Sequence, residues 1–66
     1  MLLVLDGQKI FNYLLDNVMT SKAFCEKSGV SMTALRQALG GEKVRIPTAA
    51  KIAKAINCKV EDLIIE

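Results

Sequence analysis

The side chains best equipped for chemistry in this chain are Ser31, Met32, Thr33, Arg36 and Gln37, in the run SMTALRQAL. At helical spacing Ala34, Leu35, Ala38 and Leu39 form one apolar stripe, which leaves Met32, Thr33, Arg36 and Gln37 outward. That set suits the edges of base pairs. A guanidinium carries fixed donors that match guanine O6 and N7, a carboxamide matches adenine, and the methyl groups of Met32 and Thr33 suit a thymine methyl. The competing reading of Arg36 and Gln37 is a solvated helix face.

Such a helix has to be held at a defined angle, and the residues before it do this. Residues 20–39, TSKAFCEKSGVSMTALRQAL, read as two short helices around a tight turn. Thr20 is placed to cap the first of them, with Ala23, Phe24 and Lys27 following at helical spacing. Gly29 ends that helix in the left-handed conformation, Val30 drops an apolar side chain into the corner, and Ser31 caps the second helix. The start of the first helix, at Thr20, Ser21 and Lys22, offers free backbone N–H groups and a cation to a phosphate, and so does the segment carrying Lys43 and Arg45. Contacts of that kind set position rather than sequence preference.

With those residues in place, the chain resembles the Cro and phage-repressor class of helix-turn-helix regulators. Gly29 matches the family's turn glycine, Val30 the apolar residue after it, Leu35 the buried aliphatic of the recognition helix and Ala38 its small companion. DGQKIFNYLLDN looks like the family's first helix, and PTAAKIAKAINCKVEDLI like its fourth and fifth. Cys25 stands where the family usually has alanine, and Ser21 and Met32 where many members carry glutamine. The resemblance implies an all-α, compact five-helix domain of the lambda-repressor type over residues 1–66, with the option of a short N-terminal strand. It also implies a sequence-specific regulator that binds a two-fold operator on double-stranded DNA as a homodimer. Regulators of phages and mobile elements share this layout. With no second domain expected, a minimal Cro-like repressor is favoured over a self-cleaving or ligand-sensing one, and no small-molecule ligand or cofactor is expected.

Composition sets the bounds. Sixty-six residues, 52% of them apolar, allow one domain with a small helical core. Cores of this size contribute about 3–5 kcal/mol of net stability, so association of two copies would contribute materially. The chain has no histidine, no phosphate-binding glycine loop and no paired carboxylates, which argues against a small enzyme. Cys25 and Cys58 lack zinc-site spacing and read as small free thiols of a reducing cytoplasm. The formal net charge is only +2, but between residues 20 and 45 five basic residues (Lys22, Lys27, Arg36, Lys43, Arg45) face two acidic ones (Glu26, Glu42). Positive charge thus gathers on the segment that would meet phosphates. The modest total and the missing glutamines keep a rival open: an antitoxin-like or adaptor module that keeps the fold but binds protein.

The flanking segments read as scaffold. MLLVL at the start is too short for a signal peptide or a membrane span, so the chain is read as cytoplasmic. The run is expected either to form a strand against Leu63–Ile65 or to be buried by a partner subunit. Asp6 caps a first helix whose Ile10, Phe11, Leu14, Leu15 and Val18 are expected to face the core, with Tyr13 off that stripe in a packing role. Gly40 and Gly41 end the recognition helix, Glu42 to Arg45 form a loop, and Pro47 opens a fourth helix with Ala49, Ile52, Ala53 and Ile56 inward. Asn57 and Cys58 break it. Lys59 to Ile64 make a last turn or two, with Val60, Leu63 and Ile64 closing the core.

Overall fold

Asp6 starts the first helix by satisfying two of its free N–H groups: the carboxylate Oδ1 accepts from Gln8 N at 3.1 Å and from Lys9 N at 3.4 Å. In the computed structural model, which describes residues 1–65, this helix, α1, spans Gly7–Asp16 and buries Ile10 and Leu14. The expected stripe was wider. Phe11 is 48% exposed, Leu15 60% and Val18 93%. The cause is local. The chain leaves the helical path after Asp16, Met19 N bonds back to Leu14 O at 2.9 Å, and Val18 sits at φ +48°, so it no longer projects along the stripe. Phe11 and Leu15 lie about 100° round the helix from Ile10 and Leu14, beyond the neighbouring elements that cover the buried line.

The two central helices follow the capping pattern of the sequence. In α2, Ser21–Ser28, Thr20 Oγ1 accepts from Ala23 N at 3.1 Å. In α3, Met32–Leu39, Ser31 Oγ accepts from Ala34 N at 3.1 Å. Between them Gly29 takes φ +80° and ψ 13°, its N–H bonded to Cys25 O at 2.9 Å, and Val30 is buried in the corner. Ser28 Oγ donates to Phe24 O at 2.8 Å and accepts from Val30 N at 3.4 Å, which ties the turn to α2. A Cβ added at Gly29 would meet nothing within 4 Å, so the cost of a side chain there is purely that of the left-handed backbone. Gly29→Val should therefore destabilise the domain by about 1–2 kcal/mol. Chemical denaturation checks this, and an unchanged midpoint would remove the assigned role of the turn.

The expected loop at residues 42–45 is instead a strand. Lys43–Arg45 form β2, which pairs antiparallel with β1, Leu2–Val4, in the register Leu2 with Arg45, Leu3 with Val44 and Val4 with Lys43. Val44 is buried between exposed Lys43 and Arg45, the period-two alternation of a half-covered strand, but over only three residues. The other side of the N-terminal run meets the C-terminal segment. Leu5 bridges to Ile64, Ile65 N donates to Val4 O at 2.9 Å, and Asp6 N donates to Leu63 O at 2.7 Å. Val4 and Leu5 are thus buried from within the chain itself and Leu3 is half-buried, whereas Met1 is 93% and Leu2 53% exposed.

The remaining helices close the core. In α4, Ile46–Ala55, Pro47 lies in the first turn, where its missing N–H costs nothing, and Ala49, Ile52 and Ala53 are buried. Ile56 is half-buried, and Asn57 at φ +62° turns the chain. A last short helix, α5, spans Val60–Leu63, one residue shorter at each end than expected. Leu5, Ile10, Phe24, Leu35, Ile52 and Leu63, one from each region of the chain, are the largest fully buried side chains. Among the described residues no buried side-chain polar atom lacks a hydrogen-bond partner. The architecture is a five-helix domain with a two-stranded sheet at one edge.

Candidate nucleic-acid interface

On α3 the buried line is Leu35 and Ala38, with Ala34 and Leu39 half-buried beside it. Ser31, Thr33 and Arg36 are exposed, whereas Met32 and Gln37 are half-buried rather than fully outward. The polar face is therefore narrower than helical periodicity suggests, because a helix of eight residues packed on both flanks has little surface left. Ser31 Oγ already accepts from Ala34 N, which leaves its O–H and one lone pair for a partner. Arg36, one turn further on, projects five donors into solvent.

The two elements that contact α3 on either side of it in the chain, α2 and β2, carry cations. At the start of α2, Ala23 N is taken by the Thr20 hydroxyl and Phe24 N by Thr20 O, which leaves the N–H groups of Ser21 and Lys22 for an anion. Thr20 and Lys22 are exposed and Ser21 is half-buried. Beyond the far end of α3, Glu42 N bonds back to Gln37 O at 2.9 Å and Gly41 turns at φ +77°, which brings β2 directly behind the helix. Lys43 and Arg45 both point away from the core, because Val44 between them points in. Charged residues on so short an edge strand also discourage pairing with another chain.

One cation leaves the group that the sequence assembled. Lys27 Nζ donates to Tyr13 OH and lies 5.0 Å from the centre of the Tyr13 ring, at the end of α2 away from Thr20. Tyr13 meets Phe24 edge to face, with ring centroids 6.0 Å apart and an interplanar angle of 67°. Its role is therefore packing, as read from sequence. The exposed cations of that group that remain are Lys22, Arg36, Lys43 and Arg45.

The thiols form no disulfide. Cys25 and Cys58 are free and half-buried. Burial pushes the Cys58 thiol above its usual range, Asp62 nearby adds to this, and Lys9 only partly opposes it, so the reactive thiolate is disfavoured. Among the described residues there is no group of metal-ligating side chains, and no helix is long and apolar enough to cross a membrane.

Residues 9–65 match the family model of Cro/C1-type helix-turn-helix DNA-binding domains. The chain belongs to this family. The match runs from α1 through α5 and leaves β1 outside it. The crystal structure of the transcriptional regulator VanUg, form II, is similar to this Cro/C1-type domain, with a TM-score of 0.71 and 23% identity over 97% of this chain and 85% of that one. At that identity the likeness shows a shared fold. No curated protein matches the chain. As a Cro/C1-type domain it is a DNA-binding module and not an enzyme.

Proposed function

We propose that this Cro/C1-type domain is a sequence-specific transcriptional repressor that lays α3 in the major groove and binds a two-fold operator as a homodimer. The observation that carries the reading is the exposure of Ser31, Thr33 and Arg36 on the capped helix α3, whose neighbours α2 and β2 carry the exposed cations Lys22, Lys43 and Arg45. Phosphate contacts from α2 and β2 would fix the helix in the groove, and the side chains of α3 would meet base edges. Arg36 is assigned to a guanine, Thr33 to a thymine methyl and Ser31 to a hydrogen bond. Met32 and Gln37 contribute through the parts of their side chains left exposed.

The phosphate assignment has a direct check. Lys43→Ala or Arg45→Ala should weaken binding to all duplexes alike and flatten the salt dependence by about one unit per lost contact. Gel-shift titrations over a salt series measure both, and an unaltered slope would take β2 out of the interface. The same titration separates the adaptor reading, since a domain that binds only protein shows no steep loss of duplex binding with salt.

A further inference from the structure

Lys27, Ser28, Lys51, Lys54 and Ala55 line an open groove of about 420 Å³ between the C-terminal parts of α2 and α4. It lies at the end of α2 opposite Thr20, roughly 10 Å along the helix from the proposed phosphate contacts. Among the described residues no acidic side chain lines it. Lys51 and Lys54 are exposed and three residues apart on α4, a like-charge spacing that disfavours the helix. Lys27 and Lys54 stand in the last turns of their helices, where a cation offsets the partial negative charge of the free carbonyls. Lys51, a turn earlier, has no such duty. Three lysines thus line one groove, Lys27 with its ammonium group held by Tyr13, and helix stability accounts for only two of them.

The chemistry of the lining narrows the occupant. Both helices present their carbonyl ends here, so an anion would be held by side-chain ammonium groups alone, without backbone N–H donors. Ser28 Oγ is committed to Phe24 O and Val30 N, and Lys27 is steadied by Tyr13. Flexible, well-hydrated point charges spread along a groove suit several separate carboxylates on an extended chain. We propose that this groove is a docking site for an acidic peptide segment of a partner protein, open while the recognition face is on DNA.

Amide NMR titration tests this with three probes: an oligoglutamate peptide, inorganic tripolyphosphate and a random-sequence duplex. The peptide should shift the amides of Lys27, Ser28 and residues 51–55, both for the free domain and for the domain saturated with duplex. Lys51→Ala with Lys54→Ala should weaken the peptide about tenfold or more, leave duplex binding in place and leave the melting temperature unchanged or higher. The pair Lys51→Arg and Lys54→Arg should retain the peptide. The proposal is overturned if the peptide shifts nothing or shifts residues 20–22 and 43–45 instead. It is equally overturned if tripolyphosphate fills the groove and the peptide does not, or if the duplex itself moves the groove amides.

Discussion

Gly7→Ala should cost about 3 kcal/mol, most of the stability of a domain this small, and leave much of the chain unfolded at moderate temperature. An alanine in place of a helical glycine ordinarily stabilises by about 1 kcal/mol, so the sign itself is the test. The reason lies in how α1 meets α3. A Cβ on Gly7 would stand 2.4 Å from Leu39 O, 3.0 Å from Leu39 C and 3.1 Å from Leu39 Cα. These are backbone atoms at the end of the recognition helix and cannot swing aside as a flexible side chain would. Relief requires moving α1 away from α3, which opens the contacts of Ile10 and Leu14 with the core. Circular-dichroism melting measures the effect, and an equal or raised melting temperature would mean that α1 does not rest on α3 through Gly7.

The same contact shows where sequence was legible and where it was not. Asp6, Thr20 and Ser31 were readable as caps and Gly29 as the turn, because each acts on backbone within three or four residues of itself. Leu35, Ala38, Ala49, Ile52 and Ala53 followed from helical periodicity for the same reason. Apart from Val18, which a local turn takes off the stripe, the misses were decided at a distance. Phe11 and Leu15 lie apolar and exposed because the width of the covered stripe on α1 depends on which neighbours flank it. β2 exists because the N-terminal run arrives to pair with it, and three residues of alternation do not announce that. Lys27 left the basic segment because Tyr13, fourteen residues earlier, draws its ammonium group to the far end of α2. Lys51 and Lys54 carried no motif, and only the placement of α4 beside α2 brings them to Lys27.

Arg36→Ala should cost roughly 1–3 kcal/mol of binding on the preferred operator and relax base preference mainly at one pair of each half-site. Arg36 is the basic side chain exposed within α3, and Leu35 and Ala38 on either side of it are packed into the core, so its base position is fixed while its tip is free. A bidentate guanidinium contact to guanine loses both hydrogen bonds at once when truncated. Gln37→Ala should act at a neighbouring pair and more weakly, because that side chain is half-buried. In a symmetric dimer both half-sites would change together, with centres about 34 Å apart along the duplex. If Arg36 instead held a phosphate, binding would weaken on every sequence and the base preferences would survive.

Selection of bound sequences from random duplex DNA, run in parallel on the parent domain and on Arg36→Ala, tests the central claim most directly. The account predicts that the parent enriches a motif with two-fold symmetry and that Arg36→Ala loses the preference at one symmetric pair of positions while keeping the others. A motif unchanged by the substitution would contradict the base-reading role of Arg36, and a parent that enriches no sequence at all would contradict the proposal that α3 reads DNA.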